Sequence, residues 1–335
     1  MLVDDQQQAL FDRCVAQANS FVVTTHMNPD GDALGSQLAV ARYLLDQGKQ
    51  VTMINGDPAP EVLEFITEGS PQIEIYDAER HDALLQAVDR VILVDNSAPD
   101  RLGRMERGVV QVAEKTLCID HHPTRQAQWA DSILNVQASA TAALVWDLLI
   151  GGGWEPDATT CQALFVGLAT DTGFFRFNST TADAHRIASE LLSRGVHSGT
   201  IYRRIYERNS ESYTRLLGRT LDGMRLDADG AIASATIPLA TTRELQAHDV
   251  DTGEITSALL ALEGVQIVLL FRELDAGKVK VSLRSKGAID VHLLALIFGG
   301  GGHRNASGIV LEMSFEKAVE SVISEALKIP LPADR

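Results

Sequence analysis

"FVVTTHMNPDGDALGSQLAVARYLLDQ", residues 21–47, runs from a β-prone strand into a helix through a loop that carries more charge than a turn requires. Phe21–Thr24 is rich in β-branched and aromatic residues, and the pattern from Ala33 to Leu45 is helical, with an expected helix over Asp32–Gln47. Between them lie His26, Asn28, Asp30 and Asp32, with Pro29 and Gly31 to bend the chain. A turn needs one Asp or Asn, and Asp32 taken singly would serve as a helix N-cap. Two carboxylates and an imidazole packed this closely favour positive charge among them, since like charges otherwise repel.

Working outward, three more strand-like runs appear: "VTMIN" (51–55), "VILVD" (91–95) and "TLCID" (116–120). They alternate with helical patterns expected over Pro60–Glu68, Ala138–Ile150 and Pro156–Thr170, the signature of a parallel α/β sheet. In such sheets ligands collect beyond the carboxyl ends of the strands. "VILVD" ends in Asp95, and "TLCID" delivers Asp120, His121 and His122. These can converge with His26, Asp30 and Asp32 at one rim, and Asp171 in "GLATDTGFFRF" can reach the same place from a helix end.

Five aspartates and three histidines exceed what one tetrahedral ion can use. Two divalent cations about 3.5–4 Å apart, sharing a carboxylate, account for the set. Imidazole and carboxylate without thiolate suit manganese, iron, cobalt or zinc. No G-x-S-x-G elbow and no G-x-x-x-x-G-K-[ST] loop is present, so hydrolysis by metal-activated water is the leading chemistry.

The 335-residue length favours two domains. A formal charge of −16 argues against a broad basic surface for long duplex nucleic acid. It leaves room for a small phosphate-bearing substrate, because a bound divalent cation dominates its local field. Cys14, Cys118 and Cys161 are odd in number and widely spaced, which suits a reducing compartment. "MLVDDQQQALFDRC" lacks the apolar core of a signal peptide, and the apolar stretch Ile255–Phe271 is interrupted by Glu263, Gly264 and Gln266. The expectation is a cytoplasmic protein with no membrane partner.

From Thr180 to Arg219 the chain reads as polar helix, with Arg203, Arg204, Arg208 and Arg215 on a solvated face. After Leu221 strands dominate: "GAIASATIP", "VQIVLLFREL" and "KVKVSLRSK", separated by "DADG" and "DAG" turns. "FGGGGHRNASG" (298–308), the strand "IVLEM" and a final helix over Phe315–Leu327 complete a smaller mixed α/β unit. The expected division is a dimetal domain over 1–195, a helical linker over 196–220 and a substrate-binding domain over 221–335. Gly299–Gly302 carry no Cβ, so a phosphate or ribose could approach the backbone. Arg284 and Arg304 could grip a phosphate bidentately, with His303 beside them.

Taken together, "THMNPDGDALGS", "VDNS", "IDHH" and "ATDTGFFRF" resemble the four motifs of the DHH phosphoesterases, named for the triplet that is Asp120-His121-His122 here. "SLRSK" and "FGGGGHRNASG" resemble the DHH-associated C-terminal domain, and the two-domain layout is similar to NrnA-like oligoribonuclease/pAp phosphatases. The resemblance implies one cation held by His26, Asp30 and Asp95, and a second held by Asp32, Asp95, His121 and Asp171, with Asp95 bridging. Manganese would be the metal. His122 would contact the scissile phosphate, and Asp120 would orient a ligand histidine. Arg284, His303 and Asn305 would face the interdomain cleft, with Gly301, Gly302 and Arg304 beside them. The implied substrates are very short RNA or DNA oligonucleotides and 3′-phosphoadenosine 5′-phosphate (pAp), and a homodimer is compatible with the pattern. Alternatives are a phosphodiesterase for linear or cyclic dinucleotides and a non-catalytic nucleotide sensor. One departure stands out: "ASATAALVWDLL" has Ala142 and Ala143 where the family carries an acid.

Overall fold

The structure, a computed structural model, describes residues 2–123, 129–247 and 252–331. The chain forms two compact units, 1–207 and 208–335. The first runs α1 (Asp5–Gln17), β1 (Ser20–Thr24), α2 (Gly31–Asp46), β2 (Gln50–Asn55), α3 (Glu64–Thr67), β3 (Ile73–Ile75), α4 (Ala78–Ala87) and β4 (Arg90–Val94). It continues through α5 (Glu106–Val110), β5 (Thr116–Asp120), β6 (Asp131–Leu134), α6 (Thr141–Gly151), α7 (Ala158–Asp171), α8 (Ala182–Ser193) and α9 (Ser198–Tyr206).

All six strands of this unit are parallel, in the order β3-β2-β1-β4-β5-β6. The expected parallel α/β sheet is therefore present. Side chains alternate between its faces. Phe21, Val23, Ile92, Val94, Leu117 and Ile119 join the core with α2, α6 and α7. Val22, Val91, Leu93 and Cys118 join the other core, with Leu85 of α4 and Val109 of α5. Helices on both faces explain why these strands read as continuous apolar runs. The strand order reverses between β1 and β4, which opens a crevice beyond their carboxyl ends.

The second unit comprises α10 (Glu211–Asp222), β7 (Arg225–Asp227), β8 (Ile232–Ile237), α11 (Leu239–Glu244), α12 (Thr252–Leu260), β9 (Ile267–Glu273) and β10 (Lys278–Ser285). It ends with α13 (Val291–Ile297), β11 (Gly301–His303), β12 (Ala306–Glu312) and α14 (Phe315–Ala326). Its sheet has the order β11-β12-β10-β9-β8-β7, antiparallel except for the β8–β9 pair. Among the described residues no helix is long and apolar enough to cross a membrane.

The segment expected as a linker, 196–220, is divided between the units. Ile201 of α9 is buried in the first unit's core, whereas Tyr213 and Leu216 of α10 are buried against Ile255 and Leu259 in the second. Each of these helices carries an apolar stripe beneath its charged face, and the stripe commits it to a core. The expected helix over Pro60–Glu68 is shorter, a 3-10 turn at Glu61–Leu63 followed by α3.

Candidate metal centre

The loop after β1 is fixed before it reaches its charged residues. Thr25 donates its hydroxyl to the Val94 carbonyl at 2.9 Å, tying the end of β1 to the end of β4. Asn28 adopts a left-handed φ of 51° and donates its amide to Asp57, so it acts as a turn former. Asp30, rather than Asp32, is the N-cap of α2: its Oδ1 accepts from the amides of Asp32 and Ala33.

Asp32 is instead fully buried and reaches across to α6. Its Oδ2 accepts from the Thr141 amide at 2.6 Å and its Oδ1 from the Ala142 amide at 2.7 Å. α6 has no capping side chain of its own at Ala140, so the carboxylate of Asp32 satisfies the helix's orphan donors from another element. Amides thus meet Asp32 where the resemblance leads one to expect an acid near Ala142. Thr141 contributes a second contact, its hydroxyl donating to Asp95 Oδ1 at 2.9 Å. Sequence reading missed this residue, because a threonine at a helix start looks like an ordinary cap.

Asp95 lies one residue beyond β4, with a left-handed φ of 57° and 1% exposure. Its two oxygens face different partners. Oδ2 is 3.3 Å from His26 Nε2, while Oδ1 is 3.7 Å from His121 Nε2 and 3.5 Å from His122 Nδ1. Three groups are close enough to share an ion: His26 with Asp30 and Asp95, Asp32 with His121 and Asp171, and Asp95 with His121 and His122. The structure therefore gathers all eight residues singled out at the strand ends, apart from Asp120, into potential ligand sets around one carboxylate.

Both candidate ligand histidines are oriented for coordination. His26 Nδ1 lies 2.7 Å from the Met27 carbonyl and His121 Nδ1 lies 3.2 Å from the Ala138 carbonyl. An Nδ1–H donated to each carbonyl leaves Nε2 to face the carboxylates. Those Nε2 atoms are buried and make no aligned hydrogen bond, although His121 Nε2 is 3.1 Å from Asp171. Buried imidazole nitrogens without partners, ringed by carboxylates, fit a divalent cation.

The expected role of Asp120 takes a different form. It holds His122 rather than the ligand histidine: Asp120 Oδ1 accepts from His122 Nδ1 at 2.8 Å and from the His122 amide at 3.1 Å. Asp120 is buried and His122 is partly exposed, so the pair presents the remaining ring nitrogen of His122 in a fixed orientation.

Without cations the cluster is under electrostatic stress. Burial, and then the charges of Asp95, Asp171 and Asp30, push the Asp32 carboxyl well above its usual range. Burial and Asp95 also raise Asp30. Burial pulls His121 down, but contact with Asp171 and the charge of Asp95 outweigh it and raise that ring to about 9. For Asp120 burial is outweighed by the bonds from His122, which hold it below the ordinary carboxylate range.

α2 and α7 must approach closely to bring Asp32 and Asp171 together. A Cβ at Gly35 would lie 2.3 Å from the Ala163 carbonyl oxygen, and one at Gly31 would lie 2.5 Å from Thr170 Oγ1. Past Asp171 the chain turns through Gly173, Phe174 and Phe175, all with positive φ. Phe174 packs edge-on to Tyr202 and Tyr206, and Phe175 stacks on His185, which holds this rare conformation in place.

In the second unit Arg284 is half-buried on β10, and its guanidinium bonds the carbonyl of Leu283. His303 and Arg304 are exposed, with Arg304 also donating to the Ala288 carbonyl. Asn305 pins the 285–289 turn through Ser285, Gly287 and Ile289, a structural engagement beyond the expected substrate contact. The glycine run has a packing cause: Cβ atoms at Gly300 and Gly302 would collide with the backbone of β12. Gly299 and Gly301 are exposed, with open space where a Cβ would stand, so a ligand can approach the backbone there.

The sequence profile described as "DHH family, N-terminal domain" matches residues 20–168, and that of the DHHA1 domain matches residues 232–329. A Thermus thermophilus protein named "Bifunctional oligoribonuclease and PAP phosphatase NrnA" is 32% identical over 310 residues, 90% of this chain and 89% of the relative. A Bacillus subtilis protein of the same name is 26% identical, over 88% of this chain and 90% of its own length. The crystal structure of an exopolyphosphatase-related protein from Bacteroides fragilis superposes with a TM-score of 0.86 at 30% identity, covering 97% of this chain and 96% of the other.

Proposed function

The chain belongs to the DHH family, with a DHHA1 domain in its second unit, and from that membership and the geometry of the site we propose that it is a divalent-metal-dependent phosphoesterase. Its proposed substrates are very short oligonucleotides and pAp, the classes named for the Thermus and Bacillus relatives. The observation that carries the reading is the pair of buried, unpartnered Nε2 atoms of His26 and His121 facing the two oxygens of Asp95.

One cation would be held by His26, Asp30 and Asp95, and the other by Asp32, Asp95, His121 and Asp171. The donor set supports manganese as the occupant. When bound, such a pair lowers the pKa of a water molecule and neutralises charge on a phosphoryl group. The protein's own residues supply the rest. Asp95 spans the two sites, with Thr141 orienting one of its oxygens. His122, held by Asp120, offers its free nitrogen to a phosphate oxygen or to the leaving group. In the second unit Arg284, His303, Arg304 and the open backbone at Gly301 are proposed to hold the part of the substrate that is not cleaved, with Gly302, packed on β12, and Asn305 shaping the turn beside them. Three buried free cysteines are in keeping with a cytoplasmic enzyme.

The test is turnover with Mn2+ on pAp, a 5′-phosphorylated dinucleotide and a long single strand, each with an EDTA control. The expected result is EDTA-sensitive hydrolysis of the two small substrates with the long strand spared. Asp95→Ala removes a ligand from both sites and is expected to abolish that hydrolysis. Metal-dependent turnover surviving in the variant would refute the site assignment.

A further inference from the structure

The segment that leaves β4 delivers Asp95 and then folds back over the loop that follows β1. From Pro99 to Met105 it winds as 3-10 turns interrupted at Gly103, whose φ is 56°. It is docked firmly: the Met27 amide donates to the Arg101 carbonyl at 2.7 Å, and a Cβ on Gly103 would stand 3.2 Å from Met27 Cβ. Arg101 is thereby fixed beside the neighbour of His26, at the rim where His26, Asp30 and Asp95 gather.

Its side chain is half-buried, yet among the described residues no hydrogen bond or ion pair engages the guanidinium. Other arginines of this unit are paired, Arg104 with Asp57 and Arg90 with Asp131. The guanidinium lies close enough to His26 for its charge to act on that ring. A half-buried guanidinium without a protein partner is better satisfied once an anion arrives. The centre itself calls for such a cation. The four carboxylates of the proposed ligand sets balance two divalent cations, so the metals and their ligands taken as a whole offer an entering phosphate no net positive charge.

We propose that Arg101 is a substrate-binding residue that grips the phosphoryl group of a small phosphate-bearing ligand at the metal centre. A guanidinium offers two parallel N–H donors to a phosphate, which a lysine cannot reproduce. The nature of the substrate rests on the phosphoesterase reading; the anion site itself does not.

The experiment uses the full chain and three variants, Arg101→Ala, Arg101→Gln and Arg101→Lys. Mn2+ binding to metal-free protein, inorganic phosphate binding to the Mn2+-loaded protein and kcat/KM for pAp are measured for each. Mn2+ affinity is expected to stay close to that of the parent. Phosphate binding and kcat/KM are expected to fall about 10- to 100-fold in the Ala and Gln variants, the size of a lost charge-assisted hydrogen bond, with partial recovery in the Lys variant. Unchanged phosphate binding in Arg101→Ala would overturn the proposal, as would a parent protein that takes up no phosphate. Loss of folding or of Mn2+ binding in all three variants would make Arg101 part of the scaffold and overturn it equally. If the parent hydrolyses no nucleotide but phosphate binding still depends on Arg101, the phosphoesterase reading fails and the anion site stands.

Discussion

Asp95 adopts a backbone conformation that costs a non-glycine residue free energy, and the surrounding contacts hold it there. Its amide bonds the Ile119 carbonyl at 2.9 Å and its Oδ1 accepts from Thr141, so the two carboxylate oxygens point in set directions. Thr141→Val keeps the side-chain shape and removes the donor. Metal affinity and kcat are expected to fall about 10- to 100-fold, as for other groups that orient metal ligands, and Thr141→Ser should restore both. Titration of metal-free protein with Mn2+ checks this independently of turnover. His121 allows a test by pH. Its ring, raised to about 9 in the metal-free protein, stabilises the fold fully below its unfolded value near 6.5. That contribution is lost as pH rises through about 9. The raised carboxyls of Asp30 and Asp32 act in the same direction, since their ionisation is harder in the folded state. The Tm of EDTA-stripped protein should therefore fall between about pH 6.5 and 9, and less so with Mn2+ present. A flat or rising Tm in the stripped protein would count against the arrangement. The proposed ligands were legible in the sequence because each is a hydrophilic residue placed just past an apolar strand or helix. Thr141 was not, because its partner Asp32 lies 109 residues earlier in the chain and only the folded sheet brings them together.

At the scale of elements, the crossing of α2 on α7 sets the separation of the acids they carry. Gly35→Ala would place a methyl 2.3 Å from the Ala163 carbonyl oxygen, where only backbone movement can relieve it. Overpacking of this kind costs about 1–3 kcal/mol, more than the helix propensity gained from alanine. Urea unfolding should show that loss, and Mn2+ binding should weaken as Asp32 moves away from Asp171. Stability equal to the parent would mean that the helices can part without consequence. The sequence revealed both helices to within two residues at each end, since their caps and apolar faces are local signals. Their close contact was not legible, because it depends on which faces meet. The glycine run at 299–302 carries the same lesson: it looks like a phosphate cradle, and packing against β12 accounts for Gly300 and Gly302.

For the whole molecule, a charge of −16 is compatible with anionic substrates only if their contacts are local and cationic. The second unit is proposed to contribute binding and the first unit chemistry, so Arg284→Ala should raise KM more than it lowers kcat. Steady-state kinetics on pAp decides, and a fall in kcat alone would place Arg284 in the chemical step. The change from alternating strand and helix patterns to clustered strands after Leu221 marked the second unit in the sequence. The boundary lies earlier, after Glu207, because the apolar stripe of α10 belongs to the second core. Asp30 and Asp32 each terminate a helix, α2 and α6 respectively, whereas among the described residues His121 and Asp171 cap none. A gene copy released from selection for turnover would thus remain constrained at the first two positions by the need to fold, while the other two were free to drift. Its descendants would keep an intact-looking opening motif long after the activity had been lost, and inactivity would first be visible at His121 and Asp171.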